Sequence, residues 1–140
     1  LVLTSPLRRA AETCELAGFG AQAEAADDLV EWDYGDYEGL TTQAIREGRP
    51  GWSLWSDGVP NGETAARVGQ RVDRVIARTR EQSGDVLCFA HGHVLRVLAA
   101  RWIGLPPVGG RLFLLGTARA GIVGWDRESP VIERWNEPAR

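Results

Sequence analysis

Five consecutive apolar residues, Val86-Leu87-Cys88-Phe89-Ala90, run straight into His91-Gly92-His93, after which Val94 to Ile103 shows helical periodicity. A short run that is apolar at every position predicts a strand over Asp85–Ala90 buried on both faces of a parallel sheet. The same order recurs at the start of the chain. Leu1-Val2-Leu3-Thr4 reads as a strand, Ser5 as an N-cap and Pro6 as a first-turn residue; Leu7, Ala10, Ala11, Cys14 and Ala17 then share one face of a helix that Gly18 closes. Two strand, turn, helix units imply an α/β fold, a three-layer α/β/α arrangement around a mostly parallel sheet. Ligands of such sheets sit at the carboxyl ends of the strands, so Ser5-Pro6 and His91-Gly92 are placed to face one site.

Between these units the pattern is less regular. Residues 20–28 are rich in Ala and acidic groups without a decisive period. Leu29 to Gly39 concentrates three aromatics, four carboxylates and two glycines, which predicts a shaped loop. Thr41 or Thr42 caps a short helix to about Glu47, and Trp52 and Trp55 fall in an irregular stretch ending at Gly58 and Pro60. Ala65, Val68, Val72, Val75, Ile76 and Thr79 recur at helical spacing, so Glu63–Gln82 is an amphipathic helix, with Asn61 as its cap and Glu63 in its first turn. Beyond Gly104 and Pro106-Pro107, strands are expected over Arg111–Leu115, Ala120–Asp126 and Val131–Trp135, the last two as a hairpin. Residues 1–140 read as a single domain.

Composition removes several function classes. All 16 cations are Arg, spread along the chain against 19 acidic residues for a net charge of −3, which disfavours a nucleic-acid partner needing a concentrated basic face. No run approaches a membrane span, and Leu1 to Pro6 is too short for the apolar centre of a secretion signal, so no membrane partner and a cytoplasmic location are expected. Cys14 and Cys88 fit two small buried hydrophobes better than a disulfide framework or zinc pattern. There is no Met, and Leu1 is too bulky for ordinary removal of a preceding initiator. The expectation is that translation begins upstream.

His91 and His93 are the only histidines. One imidazole capping a helix or satisfying a carbonyl is one reading. A metal site is another, though it needs further ligands that only Asp or Glu remain to supply. The preferred reading is phosphate binding, because a helix amino terminus, an imidazole and an Arg together make an anion pocket. Arg8 and Arg9 open the first helix near a strand end, and consecutive helical residues point about 100° apart, so at most one faces the site. Glu31 is followed by Trp32 and Tyr34; a carboxyl against aromatic surface is suited to general-acid work, the alternative being a solvated loop carboxylate, the role that fits Asp33, Asp36 and Glu38. Trp32, Trp52 and Trp55 are candidates for an apolar substrate wall or for local core.

Four segments taken together resemble the histidine phosphatase, or phosphoglycerate mutase-like, superfamily: Ser5-Pro6-Leu7-Arg8-Arg9-Ala10 followed by Glu12-Thr13, Leu29 to Gly39, Gly62-Glu63-Thr64, and Phe89-Ala90-His91-Gly92-His93. Their order and spacing match over essentially the whole chain. The resemblance implies the phosphoglycerate mutase-like fold and gives Arg9 the role of phosphate-binding Arg, Glu31 that of proton donor to the leaving oxygen, and His91 that of second histidine on the transferring phosphoryl group. It implies no metal and no organic cofactor, and a small-molecule phosphate monoester as partner.

The family takes its nucleophile from an Arg-His-Gly motif on the first strand, and this sequence contains no Arg-His-Gly. The expectation is therefore of an N-terminally incomplete domain, lacking the first strand and helix, inactive alone, with the attacking His upstream of Leu1. A homodimer is also possible, since a missing strand leaves sheet edges. Within the family, a cofactor-dependent phosphoglycerate mutase is the alternative. The Trp-rich rather than basic stretch between Gly39 and Glu63 favours a phosphatase. A non-catalytic phosphate-binding module is the alternative from another class.

Overall fold

The computed structural model describes residues 1–138. Three short strands, β1 (Val2–Thr4), β2 (Ala23–Ala25) and β3 (Leu87–Phe89), form a parallel sheet in the order β2-β1-β3. The helices are α1 (Arg8–Leu16), α2 (Thr42–Gly48), α3 (Leu54–Asp57), α4 (Ala65–Arg80) and α5 (Gly92–Trp102). An antiparallel hairpin, β4 (Arg119–Asp126) and β5 (Ser129–Pro138), closes the described chain as expected. The mixed α/β class with a parallel sheet agrees with the sequence reading, and β2 supplies order where composition left 20–28 undecided.

Burial drives the arrangement. Leu3 is 1% exposed and packs with Leu29 and with Val75 of α4. The larger cluster joins the α4 stripe Val68, Val72 and Ile76 to Val94 and Val97 of α5 and to Trp32 and Trp52. At about 25 cal/mol per Å² of apolar surface, these aromatic and aliphatic residues are the main source of cohesion between the long helices and the 29–55 region.

Several local expectations are corrected. α1 begins at Arg8 behind Leu7, with no side-chain cap, because Ser5 is turned inward and Pro6 lies before the helix. The cap of α4 is Thr64, whose hydroxyl accepts the Arg67 amide. Asn61 instead takes a left-handed φ of 55° and donates its amide to Asp36, while Glu63 lies before the helix and binds Arg71. Trp52 lies in irregular chain as expected, whereas Trp55 falls in the short helix α3, which Ser53 caps through the Trp55 amide. β3 is shorter than Asp85–Ala90 and, among the described residues, is not buried on both faces, Leu87 being 38% exposed. No strand forms at Arg111–Leu115. Residues Pro107–Leu112 make a 3-10 turn, and Arg96 takes the carbonyls of Gly110 and Arg111 that a ladder would need. Cys14 is buried, Cys88 half-buried, and both are free thiols. Burial pushes the Cys88 thiol up to about 11, leaving it an inert packing group. No described helix is long and apolar enough to cross a membrane.

Candidate active site

The ends of β1 and β3 are stitched together by the Ser5 amide, which donates to the Phe89 carbonyl at 2.8 Å. That bond sets Ser5 beside His91. Ser5 is fully buried, its hydroxyl 2.8 Å from His91 Nε2 and 3.2 Å from the Leu7 amide that donates to it. On the other side of the ring, Arg9 Nε donates to His91 Nδ1 at 3.0 Å. Because the guanidinium is a donor only, Nδ1 must accept, so a neutral His91 carries its proton on Nε2 and gives it to Ser5. Burial first, and then the Arg9 charge, hold the His91 pKa below its ordinary 6.5. His91 takes the backbone N-cap position of α5, but its side chain caps nothing. Of the two consecutive arginines only Arg9 reaches the site; Arg8 pairs with Glu12 on the exposed face of α1.

Glu31 stands at the opening of α5. Oε1 accepts the amides of Trp32 at 2.9 Å and Val94 at 3.0 Å, and Oε2 accepts the His93 amide at 3.1 Å. The first turn of a helix has amides without intrahelical partners, and a carboxylate is the acceptor they favour. The aromatic contribution of Trp32 is thus its backbone. Its indole is 1% exposed and donates to the Glu63 carbonyl, which places Trp32 in the core.

Arg71 holds this loop from behind. Its guanidinium forms a bidentate pair with Glu63 and donates to the carbonyls of Asp28, Val30 and Glu31, so five hydrogen bonds satisfy a side chain that is 7% exposed. Glu63 Oε2 in turn accepts the Asp33 amide. Arg71 is the residue that the sequence reading missed. The available signal was its position three residues after Val68, on the buried stripe of α4.

A cavity of about 400 Å³ lies beside these groups, lined by Tyr34, Tyr37, Ile45, Trp52, Trp55 and His93 among others. Trp52 and Trp55 therefore do reach a cavity wall, and Trp32 does not. Tyr34 joins the two regions: its hydroxyl is 2.6 Å from His93 Nδ1, and burial together with the nearby Glu31 carboxylate raises its pKa well above the ordinary 10. Asp33 and Asp36 have local structural roles, accepting from Gly35 and Asn61. Among the described residues no group of three His, Cys, Asp or Glu is disposed to hold a metal ion. What the site offers is Arg9, an oriented imidazole and a positioned carboxylate within one strand-end crevice, a set suited to binding an anion and moving a proton beside it.

Residues 1–138 match the histidine phosphatase superfamily (branch 1). The chain is 44% identical over 128 residues to an acid phosphatase of Mycobacterium tuberculosis, covering 90% of this chain and 63% of that protein. It is 39% identical over 129 residues to the sedoheptulose 1,7-bisphosphatase of Saccharomyces cerevisiae, covering 74% of this chain and 48% of that one. The solved structure of an open reading frame product of Mycobacterium tuberculosis superposes with a TM-score of 0.94 at 40% identity, over 99% of this chain and 72% of that chain. The chain spans less than two thirds of the length of either sequence relative, and its fold is the phosphoglycerate mutase-like α/β fold.

Proposed function

The chain belongs to branch 1 of the histidine phosphatase superfamily, and from that premise we propose that it is the catalytic domain, or most of it, of a phosphatase acting on small phosphate monoesters. The observation that carries this reading is the linked set Arg9, His91 and Ser5 opposite a Glu31 carboxylate fixed by the amides that open α5. Relatives named as an acid phosphatase and a sugar bisphosphatase support the reaction class.

The reaction is written in two steps. An imidazole attacks phosphorus, the bond to the ester oxygen breaks, and Glu31 gives its proton to the departing alkoxide, leaving a phosphohistidine. Water then attacks phosphorus, the phosphorus–nitrogen bond breaks, and the proton lost by water returns to Glu31. Arg9 and His91 bind the phosphoryl oxygens as their charge spreads. His91 is not the attacking group in this scheme, because the resemblance gives it the second-histidine role, in which its Nε2–H exchanges Ser5 for a phosphoryl oxygen; the nucleophile is the one expected on an Arg-His-Gly segment ahead of Leu1. Trp52 and Trp55 wall the alcohol part of the substrate, with Trp32 supporting them from the core.

The test is phosphate release by the full-length protein. Glu31→Gln should lower turnover of alkyl phosphates by about 10²- to 10⁴-fold, the range of a general acid, and that of aryl phosphates by much less. Equal losses on both classes would remove Glu31 from the acid role. Transfer to a sugar acid rather than to water would favour a mutase, and binding of orthovanadate without any turnover would favour a phosphate-binding module.

A further inference from the structure

The cavity beside Glu31 carries a polar group whose hydrogen-bonding capacity the protein leaves unused. His93, in the first turn of α5, gives its backbone amide to Glu31, and its Nδ1 is paired with the Tyr34 hydroxyl. The ring is held among aromatics, with centroids 6.2 Å from Trp32, 5.7 Å from Tyr34 and 5.5 Å from Trp55. Nε2 has no hydrogen-bond partner among the described residues. Since no buried side-chain nitrogen or oxygen among them lacks a partner, Nε2 is open, and the space His93 lines is the cavity.

The Tyr34 phenol, buried and beside the Glu31 carboxylate, to which it also hydrogen-bonds, retains its proton, and its hydroxyl is 2.6 Å from Nδ1. Burial keeps the His93 imidazole neutral against the opposing pull of Glu31, and the Arg96 charge acts in the same direction as burial. With Nδ1 taken by Tyr34, Nε2 is the ring's unpaired polar atom, a donor where the phenol gives its proton to Nδ1 and an acceptor where it gives it to Glu31. The result is an oriented ring nitrogen on a wall where Tyr37, Ile45, Trp52, Leu54, Trp55 and Val59 supply apolar surface and Glu38, Thr42 and Ser53 further polar groups. Arg46, on the same wall, has its Nε committed to the Trp52 carbonyl.

A polar atom fixed beside aromatic rings penalises any ligand that covers it without supplying a hydrogen-bond partner, whereas the aromatic and aliphatic parts of the wall suit the C–H faces of a ring. We propose that the Tyr34–His93 pair sets specificity at the leaving-group cavity, His93 Nε2 hydrogen-bonding a hydroxyl on the alcohol part of the substrate. The substrate class is phosphate monoesters of cyclic polyols, in preference to esters of hydrocarbon alcohols of the same shape. The inference rests on the phosphatase reading and adds to it a substrate class and two residues.

A matched pair tests it: myo-inositol monophosphate and cyclohexyl phosphate share a ring and differ in hydroxyls. With the full-length protein, the ratio of kcat/KM for the polyol ester over the cyclohexyl ester should be about 10- to 10²-fold, the penalty of covering one polar atom without a partner. His93→Phe should reduce that ratio by about tenfold or more, His93→Gln should restore part of it through its amide N–H, and Tyr34→Phe should reduce it by less than His93→Phe. If His93→Phe does not fold, the Gln and Tyr34→Phe variants still report the ratio. A wild-type ratio near one, or one that none of these variants moves, overturns the inference while leaving the phosphatase reading intact. Failure to hydrolyse any ester, phenyl phosphate included, overturns both.

Discussion

Three residues separate β1 from α1, whereas α5 begins two residues after β3, and the site draws on these two turns in opposite ways. The first lends a side chain: Ser5 turns inward, takes the Leu7 amide and bonds His91. The second lends its backbone, as the amides of His93 and Val94 grip Glu31. A turn that works through a side chain is vulnerable at that residue. A turn that works through amides is vulnerable at the acceptor they hold, and through whatever positions that acceptor.

The largest effect should therefore come from behind the second turn. Arg71→Met removes the guanidinium that holds the Asp28, Val30 and Glu31 carbonyls and leaves the Glu63 carboxylate without its buried partner. Breaking a buried pair from one side costs about 3–5 kcal/mol, read as a lower urea midpoint at unchanged slope. A loss under about 1 kcal/mol would mean that the loop carrying Glu31 is held by something other than Arg71.

Arg71 also marks where sequence reading stops. The apolar stripe of α4 was legible because Val68, Val72 and Ile76 repeat at helical spacing, and a buried Arg between them carries no hydrophobic signal. Its burial depends on carbonyls some 40 residues away in sequence, and periodicity does not see those. Arg9, Glu31 and His91 were legible as a group because short motifs at strand ends are local, and the structure brings all three to one crevice. The covering of strand faces was not. Val86 to Ala90 has the composition of a strand buried on both faces, yet Leu87 is 38% exposed, since what covers a face is set by packing and not by local composition. Arg111–Leu115 has strand composition too, but Arg96 captures the Arg111 carbonyl and that of Gly110 just before it.

At the first turn, Ser5→Ala should cost about 1–2 kcal/mol, since it strands the buried His91 Nε2–H and removes the acceptor of the Leu7 amide. Thermal unfolding measures it. A cost no greater than that of an exposed Ser would show that His91 is oriented by Arg9 alone, and the contrast between the two turns would lose its first half.

The charge on Arg9 makes a smaller contribution that pH can isolate. Unfolded, the His91 imidazole takes a proton near pH 6.5; folded, burial and Arg9 resist it. Below that pH the unfolded chain binds more protons, so this part of the stability is present above about 6.5 and is lost as pH falls. Arg9→Gln relieves one of three causes, the others being burial and the Arg71 charge, so the fall in urea midpoint between pH 7 and pH 5 should be shallower than in the wild type. An equal or steeper fall would assign the depression to burial and Arg71.

The smallest effect belongs to the second turn itself. Gly92 opens α5 without a left-handed φ, and a Cβ placed there would meet only Glu31 Oε2, at 3.9 Å, an ordinary contact. The helix-opening amides would be unchanged, and replacing Gly by Ala in a compatible conformation reduces the freedom of the unfolded chain. Gly92→Ala should therefore leave stability within about 0.5 kcal/mol of the wild type, or raise it slightly. A loss above about 2 kcal/mol in equilibrium unfolding would show that this turn, too, depends on the residue occupying it, and that backbone donation alone does not account for how Glu31 is held.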